Sequence, residues 1–131
     1  SPTATSMGNP HCTFFVNDFD SINIETVGSN IQKCNLFPNG TNVQIAKIID
    51  RNHVKAKIWE RGSGVTLSSG SSSCAITAAG VRRGLLDKMV EIESDGGKLK
   101  VNWNNDGIWI KGSTSTVFHG AVSKKFLEEI K

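Results

Sequence analysis

The 131-residue chain has three cysteines, three prolines and no apolar run of membrane-spanning length. Each shortage removes a class of protein. Cys12, Cys34 and Cys74 lie outside any CxxC or HxxxH spacing, and an odd number makes a poor disulfide framework. A reducing, cytoplasmic setting and no metal are the expectation. A membrane span needs roughly 18 or more consecutive apolar residues, which no segment approaches, and the amino terminus lacks the charged-then-apolar pattern of a secretory signal. No Pro-rich linker or internal repeat divides the chain, and low complexity is confined to one cluster of serines. Charge of one sign is lacking too: 15 Lys and Arg are interleaved with 12 Asp and Glu, for a net +3. The pI of 8.9 therefore reads as an ordinary solvated surface, not a nucleic-acid patch. At this length one domain is expected, burying about two-thirds of the unfolded chain's surface. The opening SPTATSMGNPH has neither an initiator Met nor a helix cap, and reads as a cut inside a longer protein or a remnant of cloning.

What is present is a series of short alternating segments. Residues 12–16 (CTFFV) read as a buried strand. Ile24, Val27, Ile31 and Cys34 fall at helical spacing, a pattern that Gly28 weakens without excluding. After the turn Phe37-Pro38-Asn39-Gly40, two β-rich runs cover 43–49 and 54–59, joined at residues 50–53. In the second run Val54, Ala56 and Ile58 alternate with Lys55 and Lys57, which predicts one face in a core and the lysines in water. Residues 73–84 are small or apolar on every side, so a helix there must be enclosed by the rest of the domain, with Gly84 as its stop. Strands are then predicted at 89–92, 99–103, 108–110 and 116–118, with glycine- and asparagine-rich turns at 95–97 and 104–107. The tail 123–131 reads as one or two helical turns.

One stretch holds the functional question: WERGSGVTLSSGSSSCA, residues 59–75. It is not a phosphate loop, because Gly70 is followed by Ser71 and no lysine is near. It is not a hydrolase elbow, because neither Ser68 nor Ser69 sits two residues from a glycine on both sides. A flexible linker is the plain alternative, but the serines lie between a strand and a helix that must be enclosed. A Gly-Ser turn opening a helix offers unpaired N–H groups and the positive end of the dipole, an anion site. Glu60 and Arg61 at the strand end add both charges. A zwitterionic amino acid fits that combination, with its carboxylate on the helix terminus and its ammonium toward Glu60.

These residues, in this order, resemble a known family. Gly8-Asn9-Pro10-His11, then Phe37-Pro38 with Gly40-Thr41-Asn42-Val43, then Glu60-Arg61-Gly62-Ser63-Gly64 with Thr66-Leu67, are similar to the C-terminal half of diaminopimelate epimerase. Gly96-Gly97, Leu99, Trp103, Gly112, Val117-Phe118 and Gly120 continue the resemblance. It implies an α/β (α+β) fold, a mostly antiparallel sheet wrapped around a central buried helix. Residues 1–131 would then be the C-terminal domain, with the N-terminal domain outside this chain. It also implies a cofactor-independent enzyme that interconverts LL- and meso-2,6-diaminopimelate on the route to lysine and peptidoglycan. In such an enzyme one cysteine from each domain flanks the substrate α-carbon, and the pair acts as opposed acid and base.

The resemblance carries roles to named positions. Asn9 and Asn42 would bind the substrate's amino and carboxylate groups. His11 and Glu60 would support catalysis, Glu60 also contacting substrate. Arg61 would meet its distal end, and Gly70 and Ser71 would donate N–H groups to its α-carboxylate. No metal or cofactor is implied, and Phe118 marks a possible homodimer contact. The departure is at the catalytic position: the family reads Ala-Cys-Gly-Thr-Gly where this chain has Ser68-Ser69-Gly70-Ser71-Ser72, so Ser69 stands in place of the thiol. A hydroxyl is a far weaker acid, and the chain alone is expected to be inactive. Two other readings stay open: a non-catalytic amino-acid-binding domain, and a relative of proline racemase or hydroxyproline epimerase.

Overall fold

The computed structural model describes residues 1–131. Two βαβ crossovers, with helices on opposite faces, organise one curled sheet. Strand β1 (Thr3–Ser6) pairs antiparallel with β2 (Pro10–Phe15). The chain then crosses through α1 (Ile24–Gln32) to β3 (Asn42–Asp50), which runs parallel to β2 with His11 opposite Asn42 and Thr13 opposite Gln44. A tight hairpin leads into β4 (His53–Glu60), and β5 (Gly64–Thr66) folds back on its far end. The second crossover runs through α2 (Gly70–Arg82) to β6 (Met89–Ser94), which is parallel to the first residues of β4. Antiparallel β7 (Gly97–Asn104) and β8 (Gly107–Lys111) complete the order β1-β2-β3-β4-β6-β7-β8. Because β4 pairs with β5 at one end and β6 at the other, the sheet bends there and curls around α2.

Alternation decides which helix each side chain meets. Ala46, Val54, Ala56, Val90, Ile92 and Val101 enclose Ile76 of α2 together with Leu86. Eight residues of α2 are buried, as its lack of a polar face requires. Gly80 is obligatory there, since a Cβ would overlap the Leu86 side chain. Gly84, at φ 70°, ends the helix, and the Leu85 N–H closes on the Gly80 carbonyl at 2.8 Å. The opposite face carries Ile24, Val43 and Ile45 under α1, flanked by Phe14, Val27, Ile31 and Trp59. Asn23 caps α1 by accepting the Thr26 N–H at 3.0 Å.

Five expectations are revised. No strand forms at 116–118: these residues are unpaired and exposed, Val117 at 89% and Phe118 at 81%. Strand β1 lies inside the segment read as a remnant, and β5 lies inside the serine stretch. The helix of residues 73–84 begins three residues earlier, at Gly70. Lys57 is also not simply in water, for its ammonium donates to the carbonyls of Phe19 at 2.8 Å and Ile22 at 3.1 Å and lies 4.7 Å from the Phe19 ring. The tail helix, α3 (Lys124–Glu129), forms after its Ser123 cap and is exposed throughout. No helix is long and apolar enough to cross a membrane.

Candidate active site

The start of β2, the start of β3, the end of β4 and the first turn of α2 meet at one end of the sheet. Register explains the meeting. His11 is opposite Asn42, and Val43 opposite Trp59, so the row that holds His11 and Asn42 runs on to Glu60. Paired residues project to the same face. Two residues along, Thr13 and Gln44 repeat the row on the side facing α2.

Asn42, 5% exposed, ties three segments together. Its Nδ2 donates to the Pro10 carbonyl at 3.0 Å, and its Oδ1 accepts the Arg61 N–H at 2.9 Å. Arg61 itself is exposed, and its stem lies against Gly40, where a Cβ would come within 3.1 Å of the Arg61 Cδ. One Nη of Arg61 donates to the Asn39 carbonyl at 3.2 Å. The Phe37-to-Gly40 turn thus serves as a rest for the arginine. Glu60 precedes the turn closed by the Ser63 N–H on the Glu60 carbonyl, with Gly62 at φ 86° and Gly64 at φ 77°.

His11 is fully buried. Its Nε2 is 2.9 Å from Asn9 Oδ1 and its Nδ1 is 3.0 Å from Gln44 Nε2. Burial pulls the imidazole down to about 4, against a smaller upward pull from the Glu60 charge, so the ring is neutral at pH 7. Asn9 is half-buried beside it.

Ser69 caps α2 with extended backbone, φ −153° and ψ 125°, its Oγ accepting the Ser72 N–H at 3.4 Å. The Ser69 carbonyl accepts the Ser73 N–H at 3.0 Å and the Ser73 hydroxyl at 2.8 Å. The first N–H groups of a helix have no intrahelical acceptor. With Ser72 and Ser73 satisfied by Ser69, the N–H groups of Gly70 and Ser71 are the open donors. Gly70 is also fitted to its place, since a Cβ would approach Ile110 Cδ1 to 2.9 Å. No imidazole or carboxylate hydrogen-bonds the Ser69 hydroxyl, so nothing in the chain activates it.

None of the three thiols substitutes for Ser69. Burial pushes Cys12 up to about 11, with a further push from Cys34, and burial also raises Cys74, which packs against the core around α2. All three are free.

The structure therefore joins Asn9 to His11 and Asn42 to Arg61 by direct hydrogen bonds, and sets Ser69, Gly70 and Ser71 on the adjoining helix turn. Glu60 reaches the group through its charge on His11. Sequence reasoning missed Thr13, Gln44 and Ser72, which are buried against these residues. The signal was a period of two: Thr13 and Gln44 lie two positions beyond His11 and Asn42.

A sequence model of the family described as diaminopimelate epimerase matches residues 3–123. The chain belongs to the diaminopimelate epimerase family. It is 41% identical over 128 residues to the diaminopimelate epimerase of Acidiphilium cryptum, covering 97% of this chain and 46% of that protein. Against the Rhodospirillum centenum diaminopimelate epimerase it is 39% identical over 122 residues, covering 92% of this chain and 42% of the relative. The chain thus spans a little under half the length of these members of the family. Among solved structures, the Bacillus anthracis phenazine biosynthesis protein of the PhzF family superposes with a TM-score of 0.56 at 20% identity, over 83% of this chain and 37% of that one. A PhzF-family protein from Enterococcus faecalis gives 0.55 at 13% identity, over 74% and 35%. At such identities the shared property is the fold: a diaminopimelate epimerase family domain here has the curled half-barrel of those proteins.

Proposed function

We propose that this chain is the C-terminal, carboxylate-binding half of a cofactor-independent amino-acid epimerase acting on 2,6-diaminopimelate. The observation that carries the proposal is the convergence of Asn9, Asn42 and Arg61 with the open N–H donors of Gly70 and Ser71 at one end of the sheet. A zwitterion needs both signs and several neutral hydrogen bonds, and this end of the domain supplies them. The α-carboxylate would take the N–H groups of Gly70 and Ser71 at the positive end of α2. The α-ammonium would face Glu60, and Arg61 would meet the distal carboxylate.

Epimerisation by two bases removes the α-proton on one face and returns another on the opposite face. One base belongs on the α2 cap, where a thiolate would be stabilised by the helix terminus. The second belongs on the other half of the enzyme, the partner domain that the length of the relatives suggests. Ser69 supplies a hydroxyl at the first position, and with no base beside it the chain binds without transferring a proton. Loss of a general base costs about 10²- to 10⁴-fold in rate. Family membership and the match across nearly the whole chain favour this over a racemase of proline or hydroxyproline.

The test is binding. Added 2,6-diaminopimelate is expected to shift the backbone amide resonances of Gly70 and Ser71 and those around Arg61. An amide spectrum unchanged at millimolar ligand, with the domain folded, would refute the assignment.

A further inference from the structure

Thr13, Gln44, His11 and Asn9, with Ser72 of α2, form one hydrogen-bond chain that the substrate contacts do not themselves require. The Thr13 hydroxyl donates to Gln44 Oε1 at 3.0 Å, while Gln44 Nε2 lies 3.0 Å from Ser72 Oγ and 3.0 Å from His11 Nδ1. His11 Nε2 continues the chain to Asn9 Oδ1 at 2.9 Å. Thr13, Gln44, His11 and Ser72 are each fully buried, so water does not complete their hydrogen bonding from outside.

The polarity of the chain follows from donor arithmetic. A primary amide has two N–H donors at one end and an acceptor at the other, and a neutral imidazole has one donor and one acceptor. With Nε2 of Gln44 toward α2, its two hydrogens meet Ser72 Oγ and His11 Nδ1, and its carbonyl takes the Thr13 hydroxyl. Every donor and acceptor of the Gln44 amide and the His11 ring is then satisfied. In the reverse orientation Nε2 would face Thr13 alone, and one buried N–H would have no partner, which is the costly outcome. The satisfied orientation makes His11 accept at Nδ1 and carry its proton on Nε2. Asn9 then accepts through Oδ1, and both hydrogens of its amide are left without a partner in the chain.

We infer that Gln44 is a positioning residue of the site: it fixes His11 as the neutral Nε2–H tautomer and thereby commits the Asn9 amide hydrogens to the ligand. The inference rests on the reading of this end of the sheet as an amino-acid site. It differs from a general structural role because it specifies which ring nitrogen is protonated. The neutral ring is consistent with its burial, and Glu60 on β4 is the charged group acting on it, with Thr5 of β1, Gln44 of β3 and Ser72 of α2 contributing only neutral side chains.

The test is imidazole ¹⁵N NMR on the 131-residue chain at pH 7. The expected spectrum has a protonated Nε2 and an unprotonated Nδ1 for His11, and a proton on Nδ1 overturns the inference. The variant Gln44→Glu replaces the donor with an acceptor, so His11 must then donate from Nδ1 as well. Its titration midpoint is expected to rise by roughly 1 to 3 units. A folded Gln44→Glu protein with His11 unchanged in tautomer and midpoint would also overturn it. Should that variant not fold, the unsubstituted protein's tautomer decides alone. Failure to bind diaminopimelate with the Nε2–H tautomer intact would sink the functional reading and leave the tautomer assignment standing.

Discussion

The Oδ1 of Asn42 accepts the backbone N–H of Arg61 at 2.9 Å, across 19 positions of sequence. With the opposite hydrogen bond from Asn42 Nδ2 to the Pro10 carbonyl, one buried amide sets the spacing of β2, β3 and the turn after β4. Asn42→Ala removes both bonds and leaves two backbone groups short of partners. A loss of about 1 to 3 kcal/mol in urea unfolding is expected, together with weaker diaminopimelate binding because Arg61 is released. Unchanged stability would show that the amide does not hold the turn.

Acid sensitivity follows from His11. Its folded pKa is lowered to about 4 from an ordinary 6.5, so the unfolded chain binds the extra proton first. Stability is therefore full above about pH 6.5 and falls as pH drops toward 4, by on the order of 3 kcal/mol across the window. Urea midpoints at pH 7 and pH 5 measure it. Replacing His11 with Gln is expected to flatten the decline between those two pH values, and an equally steep decline in that variant would assign the effect elsewhere.

Ser69 acts as a helix cap, and its replacements separate that role from chemistry. Ser69→Ala is expected to cost about 1 kcal/mol, the usual worth of a lost cap. Ser69→Cys puts a thiol beside the Ser72 N–H and the terminus of α2, so its titration by ultraviolet thiolate absorbance is expected below about 8.5. That contrasts with buried Cys12, pushed up to about 11. An introduced thiol titrating at or above the ordinary value would mean that the cap site does not favour an anion.

Gly28 shows how a local penalty is overruled. Glycine weakens a helix, yet here a Cβ would overlap the Trp59 side chain, whose Nε1 donates to Gln32 at 2.9 Å. Gly28→Ala should therefore destabilise the domain by about 1 to 3 kcal/mol despite alanine's better helix propensity. Chemical denaturation with Trp fluorescence gives the answer, and a stabilised variant would contradict the packing argument.

Much of this architecture was readable because its signals are local. The encased helix announced itself through small residues on every side, and the β6–β7 and β7–β8 turns through Gly97 and Gly107, both at positive φ. What was unreadable depends on distant partners. Strand β1 is a short polar run, TATS, that becomes a strand only by pairing with β2, and β5 exists through three residues laid against β4. Val117 and Phe118 have strand propensity but no neighbour to pair with. At the site, the motif residues Asn9, His11, Asn42 and Glu60 were legible in order along the chain. Gln44 was harder to read, because its partners stand 28 to 33 positions away and its only signal in the sequence is its place two residues beyond Asn42.

Under the proposed function, this end of the sheet is half of a two-base site whose thiol position is held by Ser69. A two-domain protein would join the first half of the Acidiphilium cryptum relative to this chain carrying Ser69→Cys. Exchange of the diaminopimelate α-proton in D₂O would then be followed by proton NMR. The expected result is exchange with Ser69→Cys and at least about 10²-fold less with Ser69. Bound diaminopimelate that exchanges no α-proton in the Ser69→Cys protein, or equal exchange by the 131-residue chain alone, would contradict the account.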